Sequence, residues 1–179
     1  MSKKILVAMS GGVDSTIAAY KLKIQGFDVI GVHFRFWKWR GNDFEYQKEL
    51  QRLHRLTDQI GIRLIEVDAQ ETFKTRVIRE MFDQIGEGLT PNPCIHCNPK
   101  MKFDYLINTA QNEQIDMIAT GHYVRAELKN NEFVGLYKAI DLSKDQSYFL
   151  WQLNQDILRN CIFPLGVTTK QDNMILARQ

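Results

Sequence analysis

Two stretches of this 179-residue chain carry residue types at spacings that chemistry uses. The first is Ser10-Gly11-Gly12-Val13-Asp14-Ser15, which follows the apolar run Ile5-Leu6-Val7-Ala8-Met9 and precedes a segment of helical periodicity. Glycines let a backbone close on a ligand, and successive N–H groups at a helix start attract an anion such as phosphate. No Gly-Lys-Ser/Thr follows, so this is not a Walker loop, and the Gly-x-Gly-x-x-Gly of dinucleotide turns is absent. On the residues alone, a tight strand-to-helix turn with Asp14 or Ser15 near the cap is the competing reading. The second stretch, residues 87–99, contains Gly88, Pro91, Pro93 and Pro99; it cannot be regular structure and is long for a mere connection. It holds Cys94 and Cys97, with His96 between them. Thiolates at that spacing suit zinc, an iron-sulfur cluster or a redox pair, yet one Cys-x-x-Cys supplies only two of the ligands a closed metal site takes.

Weaker signals lie elsewhere. Arg35-Phe36-Trp37-Lys38-Trp39-Arg40 interleaves rings with cations. That composition suits stacking on a base and pairing with phosphate, or a loop whose rings pack over the sheet edge while its cations face water. Lys74, Arg76 and Arg79 read as a solvated helix face, Cys161 as a small buried apolar residue, His33 and His54 as strand-end and surface residues, and Trp151 as core.

A frame must hold these groups. Residues 4–9 predict a buried strand and 13–25 a helix stopped by Gly26. Residues 27–34, 63–68 and 116–120 predict further strands, with helices over 44–60, 70–85 and 100–112. Repeated βα units predict an α/β fold: a Rossmann-like parallel sheet with helices on both faces and ligands at the carboxyl ends of the strands. Residues 123–128 and 133–139 predict a small hairpin appended to it. Residues 170–179 read as a helix that has barely begun, which sets an expected domain at 1–166 and a helix start at 167–179 leading into further domains.

Composition agrees with one core-bearing domain: 44% hydrophobic, 25% charged and a net charge of +2 exclude a disordered or collagen-like chain. With so small a net charge, any nucleic-acid contact must come from local patches. Three cysteines, with no export segment before them, speak against a disulfide scaffold, and no apolar run of about 18 residues occurs. The expected setting is cytoplasmic, with no membrane association.

Ser10 to Ser15 resemble the pyrophosphate-binding signature of the PP-loop ATP pyrophosphatases. Three later blocks narrow the resemblance. Gly88-Leu89-Thr90-Pro91-Asn92-Pro93-Cys94-Ile95-His96-Cys97-Asn98, followed by Lys102-Phe103, resembles a segment of the bacterial tRNA-specific 2-thiouridylases. Ala119-Thr120-Gly121-His122-Tyr123 agrees with that family, and so does Lys144-Asp145-Gln146-Ser147-Tyr148-Phe149-Leu150, followed by Phe163-Pro164-Leu165-Gly166. Together the blocks span residues 8–170.

The resemblance implies an adenine nucleotide alpha hydrolase-like fold and ATP-dependent 2-thiolation of the wobble uridine, U34, of tRNA, with Mg²⁺ as a further cofactor. It gives ATP contacts to Ala8, Met9, Ser10, Gly11, Gly12, Val13, Asp14, Ser15, Phe34 and Gly121, and a place beside the nucleotide pocket to His122. Asn92, Pro93 and Cys94 match contacts to the target base, and Lys144, Asp145 and Gln146 match a tRNA-contacting block. Catalytic roles fall to Asp14, which helps place Mg²⁺, and to Cys97, the thiolate that releases sulfur from a persulfide. The implied partners are tRNA and a persulfide donor, either a sulfur-relay protein or a cysteine desulfurase. The persulfide-bearing cysteine of the family falls beyond Gln179, as would a third thiolate for an iron-sulfur cluster with Cys94 and Cys97 in a full-length form. The resemblance thus implies a truncated chain with the ATP site and the first catalytic cysteine. A PP-loop ligase for a small molecule and a non-catalytic RNA- or metal-binding module are the alternatives.

Overall fold

The computed structural model describes residues 2–37, 43–92, 98–130 and 132–178, the side chains of 98–100 excepted. Strand β1 (Lys4–Ala8) lies at the centre of the sheet, where Ile5, Leu6 and Val7 are wholly buried. A continuous apolar run is what a strand covered on both faces requires. Its side chains part by alternation. Leu6 enters one core with Val32, Phe34, Leu106 and Ile118, while Ile5 and Val7 enter another with Ala19, Leu22 and Leu53. Helices α1 (Val13–Ile24) and α2 (Phe44–Ile60) therefore cover one face.

Strands β2 (Asp28–Arg35), β3 (Arg63–Asp68), β4 (Met117–Ala119) and β7 (Cys161–Ile162) complete a five-stranded sheet of order β3-β2-β1-β4-β7. Every pairing in it is parallel. The chain builds outward from β1 to β3, then returns to lay β4 against the other side of β1. That reversal opens a crevice at the carboxyl ends of β1 and β4, where ligands of such sheets bind. Strands β5 (Val124–Lys129) and β6 (Phe133–Lys138) form the separate antiparallel hairpin. The Rossmann-like fold and its appended hairpin are as the sequence predicts.

Local departures have local causes. The segment after β3 is one helical path in three parts: α3 (Gln70–Phe73), a π-helical turn (Lys74–Ile78) and α4 (Arg79–Gly86). Thr75 Oγ1 donates to the carbonyls of Glu71 and Thr72 at 2.9 and 3.2 Å, competing with the backbone for acceptors where the helix widens. The wide turn carries Val77 inward onto Met101. A second π-helical stretch (Asn98–Phe103) precedes α5 (Asp104–Asn112), whose Leu106 and Ala110 pack on the Leu6 face of the sheet.

Two short 3₁₀ turns (Leu142–Lys144 and Ser147–Leu150) and α6 (Gln155–Arg159) lead to β7, a strand of two residues that is too short to show a period. Cys161 is buried there, as expected, and burial pushes its thiol above the ordinary range. Trp151 is not core. It is 62% exposed, while Leu150, the last residue of the 3₁₀ turn, and Leu153 after it fill the core instead. Helix α7 (Lys170–Leu176) begins at Thr169, whose Oγ1 accepts from the Asp172 N–H, and it packs against α1.

Gly166 sits where the chain after β7 passes under the hairpin. A Cβ there would lie 2.0 Å from the Val124 carbonyl oxygen, and Ile140 N–H donates to the Gly166 carbonyl at 3.0 Å. Gly166→Ala is expected to destabilise the chain by about 3 kcal/mol, the upper part of the range for overpacking, because the obstacle is backbone. A urea unfolding midpoint equal to that of the wild type would contradict this close approach.

Candidate functional site

The glycine loop connects β1 to α1 at the crevice. Gly11 has φ +78°, a conformation that side chains rarely adopt, and Gly12, at the N-cap position of α1, has no side chain to accept from the first-turn N–H groups. The helix start thus keeps backbone N–H groups and the positive end of a twelve-residue dipole for a ligand. Ser15 Oγ donates to the Gly12 carbonyl at 3.0 Å and accepts from the Ser10 N–H at 3.1 Å, bracing the loop from inside.

The turn after β4 presses on this loop. A Cβ on Gly121 would lie 2.8 Å from the Asp14 carbonyl carbon, 2.8 Å from the Ser15 nitrogen and 2.9 Å from the Asp14 carbonyl oxygen. Only a residue without a side chain lets the two backbones meet here.

The crevice encloses a cavity of about 350 Å³. Ala8, Met9, Ser10, Asp14, Ser15, Phe34, Gly121 and Gln146 line it, all of them residues singled out from the sequence. Gly11, Gly12 and Val13 complete the loop. Phe34 supplies an apolar wall, its ring 5.8 Å from those of Tyr105 and Phe36. Gln146 is held by Tyr123, whose N–H donates to its Oε1 at 3.0 Å.

His33, Phe36, Lys102, Phe103, Leu106, Thr120 and His122 line the cavity as well. The imidazole of His33 is at the end of β2, and its Nδ1 donates to the Met9 carbonyl at 2.9 Å, so the proton is on Nδ1. That bond gives it a structural task at a strand end. His122 stacks on Phe103 and pairs through Nδ1 with Thr120 Oγ1 at 2.8 Å. Burial, reinforced by the Lys102 charge, pushes its imidazole down to about 4, so the ring is neutral at pH 7. His33 apart, the cavity wall beside the loop carries one acid, Asp14, one ammonium, Lys102, the neutral His122, and hydroxyl and amide groups.

The remaining expected residues stand apart from this cavity. Lys144 is exposed beyond it. Asp145 is engaged within the fold: burial works against its charge, but the Ser147 hydroxyl and the Ala139 N–H outweigh that and hold its carboxyl below the ordinary value. Asn92 is exposed at the edge of the proline-rich loop. Pro93, Cys94 and Cys97 lie outside the described residues, and so does the metal reading of the two thiols. Among the described residues no three metal-ligating side chains gather.

Of the aromatic-cationic segment, Phe36 packs on Phe73 at 5.5 Å and Trp37 stays half exposed. Arg35 pairs with Asp43 and lies 4.1 Å over the Tyr46 ring. Residues 38–40 are outside the described set. Lys74, Arg76 and Arg79 are exposed, as a solvated face should be. No helix among the described residues is long and apolar enough to cross a membrane.

A parallel sheet of this order, with a glycine loop at its reversal point, defines the class of Rossmann-like α/β domains. Residues 3–179 match the family described as the tRNA methyl transferase HUP domain, and the chain belongs to that family. It is 43% identical to the tRNA-specific 2-thiouridylase MnmA 3 of Bacteroides fragilis over 169 residues, 94% of this chain and 44% of that protein. It is 40% identical to the tRNA-specific 2-thiouridylase MnmA of Geobacter metallireducens over 184 residues, 98% of this chain and 50% of that protein. The chain thus spans about half the length of the curated relatives it matches.

Among solved structures the fold resembles the U34-tRNA thiolase NcsA from Methanococcus maripaludis with its [4Fe-4S] cluster. The TM-score is 0.57 at 19% identity, covering 98% of this chain and 55% of that one. A predicted subunit of tRNA methyltransferase from Methanocaldococcus jannaschii gives 0.56 at 14% identity, covering 98% of this chain and 74% of that one.

Proposed function

We propose that this chain carries the ATP-dependent, adenylating step of 2-thiolation at the wobble uridine of tRNA, acting with a persulfide donor. The observation that carries the reading is the uncapped start of α1, held against Gly121 at the reversal point of the sheet. A backbone cradle of this kind suits the phosphates of ATP, and the neighbouring cavity with Phe34 on its wall suits a base.

Bound ATP supplies an adenylyl group that turns O2 of uridine, a poor leaving group, into one that departs with AMP. The chain's own residues do the rest. Within the loop from Ser10 to Ser15, the N–H groups at the start of α1 hold the phosphates, and Asp14 would hold a Mg²⁺ ion, which would offset the charge of the departing pyrophosphate. Lys102 offers a positive charge beside neutral His122 on the cavity wall. Asn92, Pro93 and Cys94 contact the target base, with Lys144, Asp145 and Gln146 on the tRNA, and the base must leave its stack to reach the cavity. The Cys97 thiolate attacks the carrier sulfur of a persulfide and forms a disulfide with it. The released sulfur becomes bonded to C2.

The test uses ATP labelled at the α-phosphate, the 179-residue chain and unmodified tRNA with no sulfur donor present. Label is expected on tRNA carrying a wobble uridine and not on the same tRNA with a wobble cytidine. Labelling of both alike, or of neither, would overturn the proposal.

A further inference from the structure

Lys170 opens α7, and a cation in the first turn of a helix stands at the unfavourable end of its dipole. Its side chain therefore does not serve the helix. The Lys170 backbone N–H donates to Asp141 Oδ2 at 2.9 Å, which fixes where the residue stands, and its Nζ reaches Asp14 Oδ1 in the glycine loop at 2.6 Å. The Tyr123 hydroxyl meets the same oxygen at 2.9 Å.

Asn173 decides where that hydroxyl proton goes. It is wholly buried, and its Nδ2 donates to the Tyr123 oxygen at 3.0 Å and to Thr168 Oγ1 at 2.9 Å. Tyr123 thereby accepts from Asn173, and its single proton is left for Asp14. The Asn173 Oδ1 is buried with no hydrogen-bond partner among the described residues, a costly arrangement for a side chain with no other evident task. Both donors to the Asp14 carboxylate end on Oδ1, and none among the described residues ends on Oδ2.

We propose that Lys170, acting through Asp14, is a positioning residue for the polyphosphate end of a nucleoside triphosphate in the loop. This rests on the reading of the loop as an ATP site. Lys170 and Tyr123 fix one carboxylate oxygen, leave the other for a cation, and offset a charge that would otherwise repel the phosphates beside it.

The experiment titrates the 179-residue chain with ATP and Mg²⁺, and separately with AMP, by calorimetry. Lys170→Met is expected to weaken ATP about 10- to 100-fold, because the uncompensated Asp14 carboxylate then faces the phosphates, and AMP by less than about twofold. Lys170→Arg, which keeps the charge, is expected to stay within about threefold of the wild type for ATP. On an Asp14→Ala background the Lys170→Met change should have no further effect, because its target is gone.

A purely structural role for α7 would instead weaken ATP and AMP together and persist on the Asp14→Ala background. That result, or unchanged ATP affinity in Lys170→Met while the wild type binds ATP, overturns this proposal alone. A wild-type chain that binds no ATP overturns the ATP reading, and this inference with it. If Lys170→Met does not fold, Tyr123→Phe keeps the ring, removes only the hydroxyl, and is read by the same ATP and AMP comparison.

Discussion

Alanine in place of Gly121 is expected to weaken ATP binding about 100-fold or more, roughly 2.7 kcal/mol, while the chain remains folded. The added carbon would lie 2.8 Å from both the Asp14 carbonyl carbon and the Ser15 nitrogen, closer than such atoms approach. One of the two segments must yield. β4, which ends just before Gly121, is held in the sheet between β1 and β7, so the loop at the start of α1 is the part that moves. Its N–H groups then no longer converge on one anion. Overpacking of this kind costs about 1–3 kcal/mol of stability, which a domain of this size survives. Calorimetric titration with ATP, beside urea unfolding, separates the two effects. Wild-type affinity in a folded Gly121→Ala protein would show that the loop does not hold the phosphates.

Asp14→Ala produces a different loss. The carboxylate is assigned to the cation and not to the phosphates, so ATP binding should fall only a few-fold. Pyrophosphate release should fall by about 10²- to 10³-fold, the scale on which a fixed charge at a developing anion matters. Stability should change by less than about 1 kcal/mol, since the Lys170 pairing is partly open to water on both sides. Unimpaired pyrophosphate release from the variant would remove Asp14 from the chemistry, and would also remove the reason for Lys170 to be aimed at it.

The glycine loop was legible in the sequence because everything that shapes it is local: an apolar strand, two glycines and a helix start within about a dozen residues. Four strands of the parallel sheet were legible for the same reason, each carrying its own run, while the two-residue β7 carried none. What the sequence hid is contact over distance. Tyr123 and Lys170 meet Asp14 from 109 and 156 residues away, and no local pattern marks either as a partner. Asn173 is wholly buried, and no sequence pattern around it marks that burial. His33 was within reach, because the end of a parallel strand is where ligands bind in this fold. Trp151 shows the opposite limit: a large apolar side chain suggests core, yet the smaller Leu150 and Leu153 fill that place.

The most direct measurement is pyrophosphate release from ATP by the 179-residue chain, with and without unmodified tRNA bearing a wobble uridine. Release that rises sharply on adding the tRNA is the expected result, since in the proposed reaction the uridine oxygen displaces pyrophosphate. Release that ignores the tRNA, or a chain that binds tRNA and never cleaves ATP, would contradict the account.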